Sequence, residues 1–184
     1  MNPTDQLFQR VAETLRTVRH ARGLSQQALA DAADVSRRML AAIEAGNANA
    51  SLAILDRLAH ALGLTFADLV REPAPDAPSA SLPVTVWQGP GGESRGRLLA
   101  SVPARGAVEL WEWTLAPGDR YLAEADRPGT QELVYVAAGT LTLELLGERR
   151  VVEEGASLAY PSDQPYAYRN EGDRPLRFIR SVVG

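Results

Sequence analysis

The chain has 184 residues, 45% of them hydrophobic, which is enough for two small cores of roughly 70 and 100 residues. It has no cysteine, so disulfides, thiolate metal sites and thiol-based redox sensing are excluded. A net charge of −4 would argue against a nucleic-acid partner if it were evenly spread, but residues 1–72 hold equal numbers of Arg and Asp/Glu, so the whole deficit falls later and the first half can still carry a basic face.

Every one of the 19 basic residues is Arg, which a GC-rich genome explains more simply than a special demand for guanidinium chemistry. The N-terminus shows no basic-then-apolar signal pattern, and no apolar run approaches the ~18 residues of a membrane span. The expectation is a soluble, cytoplasmic protein with no membrane partner.

Residues 5–22 place Leu7, Val11, Leu15 and Val18 on one helical stripe. Further helical patterns follow at 25–33, 36–45, 51–62 and 65–71, with Ser25, Ser36, Ser51 and Thr65 where their side-chain oxygens can cap free backbone N–H groups. Residues 1–71 thus read as a compact five-helix domain. The stretch 72–82 is Pro-rich, has no large apolar side chain before Leu82, and reads as a linker. From 83 to 184 the pattern becomes short β-rich runs at 84–87, 108–115, 133–136, 140–145 and 178–183, with Gly or Pro between most of them. That spacing favours a closed barrel or jelly roll, whose closure removes exposed edges.

Within the helical half, Gln26 to Ile43 has the spacing of two helices that meet at a tight turn. Ala30 is small enough for close crossing, and Val35, Leu40 and Ile43 point into the shared core. Ser36, Arg37, Arg38 and Ala42 then look outward from the second helix, where Arg can fork onto guanine O6 and N7 in a major groove. Together with Ser25, Leu29, Glu44-Ala-Gly46, Asn49 and Ser51-Leu52, this segment resembles the XRE family of lambda-repressor-like helix-turn-helix regulators from Leu7 to about Leu69. The resemblance implies that Gln26, Gln27, Ser36, Arg37, Arg38, Asn47 and Asn49 contact double-stranded DNA, with Arg37 and Arg38 reading bases and Gln26 and the Asn47–Asn49 loop touching phosphates. It also implies that Arg19 pairs with Glu44. Asp34 stands where the family usually has Gly, so the turn requires an Asp at positive φ.

In the second half, Pro117-Gly118, Glu124, Asp126, Gly129, Glu132 and Gly139 are followed by Gly155, Pro161, Asp163, Tyr166 and Asn170, all at the spacing of the two cupin motifs. The region 83–184 resembles the small-barrel cupins often fused to XRE domains. Metal-binding cupins place histidines and a glutamate at positions that here are Glu124, Asp126, Glu132 and Tyr166, and the only histidines, His20 and His60, lie in the helical half. The expectation is therefore no metal and no cofactor, but a pocket that takes a small organic effector through Tyr121, Glu124, Asp126, Glu132, Tyr166 and Tyr168. Trp111, Trp113, Tyr135 and Tyr160 are further candidates for its wall. Glu132 heads an apolar run, so an effector donor, Arg120, Arg169 or an exposed rim has to account for its charge. With acceptor-rich walls, the expected effector brings N–H or O–H donors or a positive charge.

The whole reads as a homodimeric regulator of a palindromic operator, a repressor by resemblance, and not an enzyme. Two alternatives stand beside it: a metal-independent cupin enzyme with a DNA-binding appendage, and a DNA-binding protein whose barrel only dimerises.

Overall fold

The computed structural model describes residues 3–46, 50–70, 83–103 and 107–184. It divides into two compact units, Met1–Ser81 and Leu82–Gly184. The expected linker and the loop residues Asn47 and Asn49 lie outside the described residues.

The first unit is built from α1 (Pro3–Ala21), α2 (Gln26–Ala32), α3 (Arg37–Glu44), α4 (Leu52–Ala61) and α5 (Phe66–Val70). Ser25, Ser36 and Ser51 accept the Ala28, Met39 and Ile54 amides and so cap α2, α3 and α4. Thr65 and Asp68 exchange reciprocal bonds in a capping box ahead of α5. Leu7, Val11 and Leu15 of α1 pack out of solvent with Leu29, Ala30, Leu40, Ile43, Leu55 and Leu58. Val35, expected inside, is only half-buried, because it sits at the corner between α2 and α3 rather than on a helix face. The corner is closed by the Val35 amide donating to the Ala30 carbonyl at 3.0 Å. Asp34 takes φ 52°, the left-handed conformation that the missing glycine demands.

The second unit holds ten strands: β1 (Val84–Gln88), β2 (Arg95–Pro103), β3 (Ala107–Leu115), β4 (Arg120–Ala123), β5 (Gln131–Ala138), β6 (Leu141–Leu145), β7 (Glu148–Val152), β8 (Ser157–Pro161), β9 (Tyr166–Arg169) and β10 (Leu176–Val183). They form a six-stranded sheet ordered β1-β2-β3-β10-β5-β8 and a four-stranded sheet ordered β4-β9-β6-β7, with every pairing antiparallel. Alternation puts Trp111, Trp113, Val134, Val136, Leu176 and Phe178 inside. Pro161 is tolerated because β8 is an edge strand.

Two glycines allow close approaches. A Cβ on Gly96 would lie 2.8 Å from the Trp113 ring, and one on Gly139 (φ 82°) would lie 3.1 Å from the Leu176 backbone. Asn170 pins the turns beneath the barrel, donating through Nδ2 to the Leu115 and Arg174 carbonyls at 2.9 and 2.7 Å.

Candidate nucleic-acid interface and barrel centre

In the helical unit a buried cluster fixes the angle between α1 and α3. Arg19 donates through Nε to Glu44 Oε1 at 2.6 Å and through Nη2 to Oε2 at 2.9 Å, while its Nη1 holds the Leu24 carbonyl at 2.9 Å. Both side chains are almost wholly out of solvent. Burial alone would raise the Glu44 pKa, but the hydrogen bonds from Arg19 and Gln26 hold it below the usual carboxylate range.

Gln26, expected on phosphate, gives one Nε2 hydrogen to Glu44 Oε2 at 2.9 Å, which leaves the second available. Gln27 Nε2 is engaged with Asp31 at 2.7 Å, and the Ser36 hydroxyl is occupied as the α3 cap. Arg37 and Arg38 differ from these three. Both are exposed in the first turn of α3, and neither pairs with any described residue. The arrangement is a rigid helix pair whose free hydrogen-bonding capacity is concentrated in two guanidinium groups.

At the barrel centre the geometry departs from expectation. Glu132 is not on a rim; it is fully buried, and neither Arg120 nor Arg169 accounts for it. Arg169 pairs instead with Glu144 at 2.7 Å. The partner is Arg180 of β10, whose Nη1 lies 3.0 Å from Glu132 Oε1, and whose guanidinium stacks 4.7 Å over the Trp111 ring and 5.3 Å over Trp113. The Tyr166 hydroxyl donates to Oε1 at 2.8 Å, and the Tyr160 and Tyr168 hydroxyls donate to Oε2.

Three phenol hydroxyls and the Arg180 ion pair thus crowd around one carboxylate. Burial and the Glu132 charge push the Tyr160, Tyr166 and Tyr168 phenols well above their ordinary value, which keeps them as donors. Burial by itself would weaken the Arg180 guanidinium, but Glu132 raises its pKa well above the usual value.

Tyr121 is buried against Trp113, ring centroids 4.5 Å apart. Of the remaining expected effector residues, Glu124 is exposed and Asp126 half-buried, and both carboxylates lie near enough to act on the Tyr121 phenol. Tyr135, a candidate for the wall, points outward and is 49% exposed, because its place in β5 alternates with the inward Glu132, Val134 and Val136. Arg180 escaped the sequence reading because a basic residue in a terminal strand carries no sign of burial. The available signal was its position two residues beyond inward Phe178.

This donor set does not suit a metal ion. A divalent cation at Glu132 would have to displace or face the Arg180 guanidinium, and among the described residues no group of three His, Cys, Asp or Glu is placed to hold one.

The fold and these two centres define a helix-turn-helix domain joined to a cupin barrel. Family models agree: residues 15–69 match "Helix-turn-helix" and residues 111–182 match "Cupin domain". The chain is 26% identical over 171 residues to the HTH-type transcriptional regulator SutR of Escherichia coli (strain K12), covering 91% of each. It is 34% identical over 65 residues to polyketide synthase CurC of Streptomyces cyaneus, covering 35% of this chain and 42% of that one. The crystal structure of an HTH_3 family transcriptional regulator from Vibrio cholerae superposes with a TM-score of 0.74 at 21% identity over 98% of each chain, a likeness of fold. The chain therefore carries an XRE-type helix-turn-helix domain and a C-terminal cupin domain.

Proposed function

We propose that the protein is a transcription regulator that binds a palindromic DNA operator as a homodimer, with Arg37 and Arg38 reading base edges in the major groove. The observation that carries this reading is a contrast across α2 and α3. Gln26, Gln27 and the Ser36 hydroxyl are held in hydrogen bonds within the domain, whereas Arg37 and Arg38 are exposed and unpaired among the described residues. One helix-turn-helix module makes few contacts, and two-fold symmetry doubles them over half-sites about one DNA turn apart. Repression follows if the operator overlaps a promoter.

The experiment is selection of binding sites from random duplex DNA, then affinity at fixed salt. A palindrome should emerge, and Arg37→Ala or Arg38→Ala should each cost about 1–3 kcal/mol of specific binding while relaxing selectivity at one base pair per half-site. Unchanged operator affinity in both variants would remove the base-reading role.

The barrel admits two readings. An effector anchored on Glu132 and Tyr166 requires acceptors that are free, and the Glu132 carboxylate is already engaged by three phenols and the Arg180 ion pair. The crowded centre favours a barrel that serves assembly. Among the buried side-chain atoms without a hydrogen bond are the donors Arg180 Nε and Trp113 Nε1 and the Ser162 hydroxyl, so an effector that did enter could be met through its acceptors as well as through the donors expected from the sequence. Calorimetry against amines and against carboxylates or amides separates the cases. Heat with amines alone would restore the carboxylate-anchored pocket, and heat with neither class would leave the assembly role.

A further inference from the structure

The outer face of the six-stranded sheet carries most of the exposed large apolar side chains. Val102, Leu110, Leu133, Tyr135 and Val183 all lie on it, at 38–55% exposure. Strand registers arrange this face in rows. The middle row runs Ala100, Leu110, Ser181, Leu133, Ala159 across β2, β3, β10, β5 and β8. Large and small side chains therefore alternate along it, giving two leucine ridges flanked by three shallow positions. On one side the row holds Val102, Val108 and Val183, and on the other Ile179 and Tyr135 stand side by side. The only charges among these rows are Arg97 and Glu112, which neutralise each other at 2.9 Å.

We propose that this face is the dimer interface of the protein and that its occupant is the same face of a second copy. The proposal rests on the dimeric reading above and assigns the surface responsible. A two-fold contact requires a patch that complements itself. Alternating ridges and hollows do so, since a shift of one strand seats each leucine over Ala or Ser of the partner, in the way that packed sheets interdigitate. A patch without net charge meets its own copy without like-charge repulsion.

Five strands about 4.8 Å apart and three rows about 7 Å apart cover roughly 400 Å² per copy. That is about half of the ~800 Å² per partner in a stable interface, and it fits an apolar core whose remainder is polar rim. The Arg95 and Arg177 side chains, both exposed at one end of the same face, are placed to form that rim.

The test is sedimentation equilibrium of the full chain, wild type against Leu133→Glu, Leu110→Glu and, as a control, Leu122→Glu, which changes an exposed leucine of the other sheet. Near-UV circular dichroism of the buried Trp111 and Trp113 verifies that each variant folds. The expected result is a wild-type dimer, a dimer with Leu122→Glu, and monomers with Leu133→Glu and Leu110→Glu, corresponding to a loss of about 30-fold or more in dimer affinity. A monomeric wild type would overturn the proposal, as would folded Leu133→Glu and Leu110→Glu variants that dimerise like wild type. Loss of DNA binding in a wild-type dimer would count against the regulator reading alone and leave the interface standing.

Discussion

At the scale of single residues, two buried carboxylates have opposite surroundings and the same logic. Glu44 is bound by Arg19 and Gln26, and Glu132 by Arg180 and three phenols. Removing one partner of such a pair leaves an uncompensated charge inside, so Glu44→Ala should lower the stability of the helical unit by about 3–5 kcal/mol, whereas Arg19→Met with Glu44→Leu should recover most of the loss. Chemical denaturation of the single and double variants measures both. An equal loss in single and double variants would mean that packing, not charge, carries the effect. In the barrel, Arg180→Met should cost about 3–5 kcal/mol and Arg180→Met with Glu132→Gln distinctly less, since the neutral amide no longer needs a cation. A double variant as unstable as Arg180→Met would show that the guanidinium acts through its stacking on Trp111 and Trp113.

Among the elements, legibility followed length and apolar content. All five helices were readable because each has apolar residues at helical spacing and four of them a capping oxygen, and the longer strands β3, β5 and β10 were readable because they alternate over eight or nine residues. Five strands were missed, each for a physical reason. β2 carries Arg95, Gly96 and Arg97 at its start, since Gly96 exists to receive Trp113 and not to favour a strand. β7 opens Glu-Arg-Arg because it is a solvated sheet edge. β4 and β9 are only four residues long, and β8 ends on a proline. That Glu132, Tyr166 and Tyr168 share one centre was legible by motif spacing, but the state of that centre was not, because the partner of Glu132 comes from β10, far along the chain.

The turn between α2 and α3 shows the converse, a departure read correctly and open to test. Asp34 at φ 52° bears a left-handed penalty of about 1–2 kcal/mol that glycine would not. Asp34→Gly should therefore stabilise the helical unit by up to about 1 kcal/mol, after allowance for the greater freedom of glycine in the unfolded chain, and Asp34→Val should destabilise it. A higher melting temperature for Asp34→Val than for Asp34→Gly would refute the strain.

For the whole molecule, the two units carry their sensitive groups at opposite ends of the pH scale. Glu44 titrates below the usual carboxylate range when folded, so its contribution is complete above about pH 4.3 and is lost as pH falls through the folded value, when the unfolded chain takes up the proton first. The barrel is the reverse case. Tyr121, Tyr160, Tyr166 and Tyr168 are all raised by burial, whereas an unfolded tyrosine releases its proton near pH 10. The folded barrel then binds more protons than the unfolded chain, so its stability is intact below about pH 10 and declines above it, by at most about 5 kcal/mol per pH unit if all four take part. No tyrosine occurs before residue 121, which leaves the helical unit without this liability. Scanning calorimetry from pH 3.5 to 11 should resolve two transitions. The helical one should move down on acidification, and the barrel one should move down steeply above pH 10, less steeply in Tyr168→Phe. A single transition that responds alike at both extremes would show that the two cores unfold as one.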